Sequence, residues 1–125
     1  MKSITIFWFR RDLRIEDNCG LFHALKENKN VLPIFIYDLN ILKNFSDDDP
    51  RIEFIYNSLK LLDNTFKKNQ SSIKIFKGKP EKIFSQLLID YDVKNVFFNR
   101  DYEPYAIERD EKIKNFLNSK KINVF

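Results

Sequence analysis

Five short runs of mostly apolar, β-forming residues recur along the chain, and a longer stretch with helical periodicity separates each run from the next. The runs cover residues 4–9, 31–37, 72–76, 94–98 and 122–125. The first is continuous in apolar residues, which is typical of a strand buried on both faces of a parallel sheet. In the third run, apolar and polar residues alternate, as they would in an edge strand. Pro33 should lie near the start of the second strand or at a bulge, because proline cannot donate to a ladder.

The intervening stretches predict four helices. Asp17 or Asn18 can cap the first, and Pro50, Pro80 and Pro104 suit the first positions of the others. Apolar residues at steps of three and four should turn one face of each helix toward the sheet. These inward residues are Leu21, Phe22 and Leu25, then Ile52, Ile55, Leu59, Leu62 and Phe66, then Ile83, Phe84, Leu87 and Leu88, and finally Ile107, Ile113 and Leu117.

This alternation predicts an α/β fold, a doubly wound, Rossmann-like sheet of five parallel strands with helices on both faces. The commonest strand order for such a chain is 3-2-1-4-5. Ligands of these sheets bind beyond the carboxyl ends of the strands where the winding reverses, here between the first and fourth strands. Arg10, Asp38, Asp101, Glu103 and Tyr105 fall at that edge. We therefore expect a site for a polar ligand that carries an aromatic ring.

The residue counts exclude several other kinds of site. With only two glycines, the chain can build neither a G-x-G-x-x-G fingerprint nor a P-loop. One Cys and one His exclude a multi-cysteine zinc site and most Ser-His arrangements. The acidic run 47–49 lacks the spacing of a calcium loop and is better explained as favourable charge at a helix amino terminus.

Charge and hydropathy indicate an ordinary water-soluble domain. The net charge of +4 comes from 22 basic and 18 acidic residues, which a solvated Lys-rich surface explains better than a nucleic-acid patch. No apolar run approaches the ~20 residues of a membrane span, and the run at 4–9 is too short for a signal peptide. We expect a cytoplasmic protein without membrane contacts.

Two charged clusters at the predicted edge allow two interpretations each. The Arg and Asp residues of 10–17 form either a ligand-binding edge or ion pairs that brace the exit of the first strand. Asp101 and Glu103 are either a general acid/base pair or, for Glu103, a helix-capping charge before Pro104. Because no His, Ser or metal-ligand set accompanies them, we expect no catalytic residues in this chain.

Two long motifs carry a family resemblance. Residues 8–18 read WFRRDLRIEDN, and residues 99–110 read NRDYEPYAIERD. The first resembles the W-[FH]-R-x-D-L-R-x-x-D-N opening of the DNA photolyase/cryptochrome family, and the second its N-x-D-x-E-P-Y-x-x-x-R-D segment. The resemblance extends over residues 1–125 and implies the family's amino-terminal α/β domain, which binds an antenna chromophore.

The resemblance also implies partners. In photolyases the antenna passes excitation to FAD in a separate helical domain, and reduced FAD splits pyrimidine dimers in damaged DNA. That helical domain is not in this sequence, so we expect a fragment that is inactive in repair alone and is a monomer or weak oligomer. A cryptochrome-type photoreceptor domain is the alternative, and a generic nucleotide-binding module is a remote one.

The antenna type follows from the same resemblance. Members that bind a deazaflavin or flavin contact it with an aromatic residue, an Arg and an Asp, which correspond here to Phe35, Arg51 and Asp101. Asp38, Glu103 and Arg10 complete the set of expected cofactor contacts. Folate-binding members carry an Asn-Glu pair where this chain has Tyr105 and Ala106. We therefore expect a deazaflavin or FMN rather than a folate, with FAD confined to the helical domain.

Overall fold

The fold was determined from a computed structural model that describes residues 3–10, 18–27, 30–42, 46, 48–68, 72–99 and 103–125. Strands and helices alternate along the chain as the apolar runs predict. The elements are β1 (Ser3–Phe9), α1 (Cys19–Glu27), β2 (Val31–Asp38), α2 (Leu39–Leu42), α3 (Pro50–Lys68), β3 (Lys74–Gly78), α4 (Pro80–Asp90), β4 (Asp92–Phe97), α5 (Pro104–Ser119) and β5 (Asn123–Val124). All five predicted strands and all four predicted helices are present among them.

The five strands form one parallel sheet in the order β3-β2-β1-β4-β5, which confirms the predicted fold class. β1 lies at the centre and pairs with β2 on one side and with β4 on the other. Pro33 is the third residue of β2 and lies opposite Phe7 in a regular register, so it is near the strand start and not at a bulge. A register shift occurs instead between Ile4 and Thr5, on the β4 side.

Each face of the sheet has its own apolar core, because alternate residues of the central strands point to opposite faces. Ile6 and Trp8 pack on one face with residues of α4 and α5. Phe7 and Phe9 pack on the other face with residues of α1 and α3. Helices therefore cover both faces, as a doubly wound sheet requires.

The inward faces of α1 and α5 differ from the predicted ones. Leu25 is 52% exposed and Ala24 is buried in its place. Ile107 is 54% exposed, because the buried stripe of α5 runs through Ala106, Arg109, Ile113 and Leu117. The other predicted inward residues Leu21, Ile113 and Leu117 are buried, so the apolar pattern was wrong at Leu25 and Ile107 and missed the buried Ala24 and Arg109. The side chain of Phe22 lies outside the described residues.

The predicted helix starts at Asn18 and Pro50 are confirmed. The Asn18 side-chain oxygen accepts a 3.1 Å hydrogen bond from the amide of Leu21 and so caps α1. Asp49 does the same for α3, accepting the amide of Arg51 at 2.9 Å. Asp17 and Asp47 lie outside the described residues. The short helix α2 was not predicted, because four residues directly after a strand give no periodic signal.

Candidate functional site

A cavity of about 550 Å³ lies at the carboxyl edge of the sheet, within the size range of small-molecule sites. It is bounded by the ends of β1 and β2, by α2 and the first turns of α3, and by the start of α5. The residues that line it are Trp8, Arg10, Phe35, Ile36, Tyr37, Asp38, Ile41, Leu42, Arg51, Phe54, Ile55, Glu103, Tyr105, Ala106 and Arg109.

The cavity lies over the ends of β1 and β2, and among the described residues none from β4 lines it. The segments that follow β1 and β4 at the predicted crevice, 11–17 and 100–102, lie outside the described residues. The Arg10 guanidinium lies 4.6 Å from the ring centre of Phe98 and 5.2 Å from that of Trp8. Arg10 therefore packs against the residues that end β1 and follow β4.

Five of the six predicted cofactor contacts line this one cavity, namely Arg10, Phe35, Asp38, Arg51 and Glu103. The sixth, Asp101, lies outside the described residues. Glu103 occupies the N-cap position of α5, but its side chain forms no capping hydrogen bond with the described helix amides. The structure thus brings the predicted residues together, and their contact with a cofactor stays a prediction.

A chain of alternating charges runs beneath the cavity. Arg10 pairs with Asp110, which also accepts from Arg109 Nε at 3.3 Å. Arg109 Nη1 lies 3.4 Å from Asp38 Oδ2, and the same Asp38 oxygen accepts the Tyr105 hydroxyl at 2.8 Å. We call Arg10, Asp110, Arg109 and Asp38 the buried charge chain, since all four side chains are at most 14% exposed. Two Arg and two Asp make it neutral overall.

Trp8 forms the floor between the two arginines of this chain. The Arg109 guanidinium lies 5.0 Å and that of Arg10 5.2 Å from the indole ring centre. Trp8 is 1% exposed and packs edge-on against Phe84 and Phe98. The cation–π contacts and the ring packing hold both guanidinium groups in fixed positions. The interpretation of Arg10 as a bracing residue is therefore supported, whereas Asp12 and Arg14 lie outside the described residues.

The remaining walls are mostly apolar. α2 contributes Ile41 and Leu42, and α3 contributes Phe54 and Ile55. Phe54 is 72% exposed, although it is a large aromatic residue. On β2, the Phe35 ring meets that of Tyr37 edge-on, with centres 5.0 Å apart.

The hydroxyl of Tyr37, on the same wall, has a pKa above the ordinary value for tyrosine. Partial burial, together with the nearby Tyr56, raises the pKa of its hydroxyl. The raised pKa favours the neutral form of this hydroxyl on the cavity wall.

Arg51 holds a charged group at the cavity rim. Its guanidinium donates to both carboxylate oxygens of Asp49, at 3.0 and 2.7 Å, while its side chain remains 65% exposed. These bonds and the backbone amide of Arg51 lower the pKa of Asp49 to about 2. Arg51 is thus oriented by Asp49 and still accessible from solvent.

A pair of amide side chains ties the exit of β4 to the start of α1. Asn99 accepts from the amide of Gly20 at 2.8 Å and donates to the Asn18 side-chain oxygen at 2.6 Å. A Cβ on Gly20 would lie 2.5 Å from Asn99 Oδ1 and 3.0 Å from the Phe7 ring. Only glycine allows this approach, so Gly20 serves close packing rather than phosphate binding.

Sequence reasoning missed Phe54, Arg109 and the residues of α2. Phe54 was detectable, because it lies off the apolar stripe of α3 and three positions after Arg51, on the same helix face. Arg109 was noted only as part of a motif, and its burial depends on Asp38, which is 71 residues away. No local pattern could have shown that contact.

The cavity residues fit a flat heteroaromatic ligand better than a metal ion or a bare anion. The described residues include no group of three or more His, Cys, Asp or Glu that could hold a metal ion. The apolar and aromatic walls suit a ring system, and Asp38, Tyr105 and Arg51 offer hydrogen-bonding groups for its polar edge. No helix within the described ranges is long and apolar enough to cross a membrane.

Fold and site together define a Rossmann-like domain with a mostly apolar cavity at the carboxyl edge of its sheet and without a glycine-rich turn. The chain belongs to the DNA photolyase family, whose model matches residues 5–125. A (6-4) DNA photolyase of Arabidopsis thaliana is 32% identical over 98% of this chain and 24% of its own length. Cryptochrome-2 of Gallus gallus is 33% identical over 87% of this chain and 19% of its own length.

A solved structure supports the same assignment. The archaeal photolyase of Sulfolobus tokodaii superposes with a TM-score of 0.83 and 36% identity, over 97% of this chain and 28% of that protein. It contains two FAD molecules, with the implication of a novel light-harvesting cofactor. The present chain spans between 19% and 28% of the length of these three relatives.

Proposed function

We propose that this chain is the antenna domain of a deoxyribodipyrimidine photolyase and that its cavity holds a flavin or deazaflavin chromophore. The bound chromophore would absorb near-ultraviolet or blue light and supply excitation energy. The observation that carries the proposal is the single cavity that gathers Arg10, Phe35, Asp38, Arg51 and Glu103. The two FAD molecules of the archaeal relative support a second flavin in this type of protein.

The roles of the residues follow from their positions. Phe35, Phe54 and Ile55 would contact the faces of the ring system and keep water from it. Asp38 would accept a hydrogen bond from its polar edge. The exposed Arg51 would meet carbonyl oxygens or a phosphate at the rim. Because the buried charge chain is neutral overall, the floor suits an uncharged ring.

A folate is the less favoured occupant. Ala106 is buried and has no side-chain donor or acceptor, whereas a pterin needs several hydrogen bonds. The lack of a polar side chain at position 106 favours a flavin-type ring over a pterin.

The proposal extends to the whole photolyase. A helical domain would bind FAD, receive the excitation and split pyrimidine dimers in damaged DNA. The chain alone is then expected to show no light-dependent repair, as a monomer or weak oligomer in the cytoplasm.

Titration of the 125-residue chain tests the chromophore assignment. FMN, a deazaflavin and a methenylated folate are added separately, and binding is followed by absorbance and fluorescence polarisation. We expect one of the first two to bind. Phe54→Ala should weaken that binding roughly tenfold, since an aromatic contact is lost.

The matched control for Phe54 is Leu61→Ala. Leu61 is 71% exposed on the same helix and does not line the cavity, so its replacement should leave binding unchanged. Tight folate binding without flavin or deazaflavin binding would overturn the assignment. Equal effects of the two substitutions would show that the ligand lies elsewhere.

A cryptochrome-type photoreceptor is the second candidate, and the 33% identity to Cryptochrome-2 of Gallus gallus favours it. Both functions use the same α/β domain, so binding assays on this chain do not separate them. A repair assay separates them. It uses a longer protein that carries this domain and an FAD-loaded helical domain, and a dimer-containing oligonucleotide is illuminated in its presence. Repair of an oligonucleotide with either a cyclobutane dimer or a (6-4) product identifies a photolyase, and failure to repair both with intact FAD favours a photoreceptor.

A further inference from the structure

Tyr105 and Asp38 meet at the edge of the cavity across a long sequence separation. The Tyr105 hydroxyl donates to Asp38 Oδ2 at 2.8 Å, and the two residues are 67 positions apart. Asp38 is 5% exposed and Tyr105 is 38% exposed, and both line the cavity. A buried carboxylate and a half-exposed phenol therefore share one bond at the place where a ligand would enter.

The chemistry of Asp38 restricts what can replace that bond. A carboxylate only accepts hydrogen bonds, so a ligand group that takes the place of the phenol must be a donor. A flavin ring carries one such group, the imide N–H at its N3 position. A ring that is methylated at this nitrogen has the same shape and no donor there.

We infer that the Tyr105 hydroxyl is an internal competitor that occupies Asp38 until a ligand N–H displaces it. The inference rests on the proposed function, because it concerns a flavin-type ligand of this cavity. The site then selects heterocycles that have a donor on the ring edge. Tyr105 makes binding weaker and more selective, which is the opposite of a simple contact residue.

The two described partners of Asp38 differ in how deeply they are buried. Arg109 is 7% exposed and contacts Asp110 and the Trp8 ring, so it remains beside Asp38. Tyr105 is the second residue of α5 and is 38% exposed, and the Arg109 guanidinium lies 5.6 Å from its ring centre, so a shift of its hydroxyl off Asp38 would move the ring toward solvent. When the Tyr105 hydroxyl is displaced, the Asp38 carboxylate therefore stays paired with Arg109. It can then accept a hydrogen bond from a ligand N–H at the position that the hydroxyl has left.

The inference predicts two effects of opposite sign for Tyr105→Phe. The ligand-free chain loses a hydrogen bond to a buried carboxylate and should unfold at a lower temperature. The ligand no longer has to break that bond, so FMN should bind about tenfold more tightly, as expected for a hydrogen bond to a charged group. For an ordinary contact residue, the same substitution would lower both the unfolding temperature and the affinity for FMN.

The experiment compares FMN with 3-methyl-FMN on the chain, on Tyr105→Phe and on Tyr91→Phe. Tyr91 is the matched control, because its hydroxyl also has a charged partner, Lys74 at 2.6 Å, but it does not line the cavity. We expect FMN to bind the unmodified chain more tightly than 3-methyl-FMN. Tyr105→Phe should strengthen FMN binding and change 3-methyl-FMN binding by less than about threefold. Tyr91→Phe should alter neither.

A spectroscopic measurement on the unmodified chain gives a second readout. With tyrosine labelled at Cζ with ¹³C, the Tyr105 resonance should shift on addition of FMN and not on addition of 3-methyl-FMN. Equal affinity for both flavins, or weaker FMN binding by Tyr105→Phe, would overturn the competitor role and leave the antenna proposal intact. If neither flavin binds any variant, the antenna proposal fails, and the competitor role fails with it.

Discussion

Replacing Arg109 by Met should destabilise the domain strongly, because it removes the centre of the buried charge chain. Arg109 is 7% exposed and contacts Asp38 at 3.4 Å, Asp110 at 3.3 Å and the Trp8 ring at 5.0 Å. Met retains much of the side-chain volume but leaves two carboxylates without this cation. Removing one partner of a buried pair costs about 3–5 kcal/mol. Since both ionic contacts are long, we expect about 3 kcal/mol.

Urea denaturation measures this loss. With an m-value of about 1.5 kcal/mol per molar urea, a loss of about 3 kcal/mol lowers the midpoint by about 2 M. Trp8 is the only tryptophan of the chain, so its fluorescence reports unfolding. Far-UV circular dichroism should be recorded in parallel, because the substitution also changes the surroundings of the indole ring.

A second substitution separates the charge effect from a loss of packing. Asp38→Asn in the Arg109→Met background removes one of the two carboxylates that have lost the Arg109 cation and should restore part of the stability, with a coupling energy of about 1–3 kcal/mol. Lys112→Met on the same helix is the control, since its ion pair with Glu108 is solvent-exposed and its loss should leave the midpoint unchanged. A loss below about 1 kcal/mol for Arg109→Met, or strict additivity with Asp38→Asn, would refute this reasoning.

Two further predictions concern helix starts. Gly20→Ala should lower stability by about 1–2 kcal/mol, because its Cβ would displace Asn99 and press on the Phe7 ring. Helix propensity alone would give a gain instead, so the sign of the change in chemical denaturation decides between the two. For Asp49, the folded pKa of about 2 lies below the ordinary 3.8, so the carboxylate stabilises the fold above about pH 4 and loses this effect as the pH falls toward 2. The midpoint difference between the chain and Asp49→Asn should therefore shrink over that interval, and a constant difference would contradict the role of Arg51.

The fold was predictable because the apolar runs and the helix-start residues act locally. Buried parallel strands leave a continuous signal, as in residues 4–9, and Pro50, Pro80 and Pro104 each occupy the first residue of a helix in the structure. The inward faces were less predictable where small or charged residues are buried. Ala24 on α1 and Arg109 on α5 are the examples.

The site was predictable in its place on the sheet edge but not in its internal connections. Strand ends gave Arg10, Asp38 and Glu103, and the motif resemblance gave Phe35 and Arg51. The partner of each buried charge comes from a distant part of the chain, since Asp38 meets Tyr105 and Arg109 across 67 and 71 residues. The two family motifs are also joined this way, through Arg10 with Asp110 and Asn18 with Asn99. Only the folded structure shows that the motifs form one connected unit.

The strand order has a consequence for how the chain is made. β1 leaves the ribosome first and becomes the centre of the sheet, but its partner β4 begins 89 residues later, where Asp92 pairs with Ser3. At about 5–20 residues per second, that interval takes about 4–18 s. Until then, one edge of β1 from Ser3 to Phe7 has no native partner and can pair with a strand of another chain. Synthesis itself, rather than the finished domain, is therefore the stage at which this protein is most exposed to aggregation.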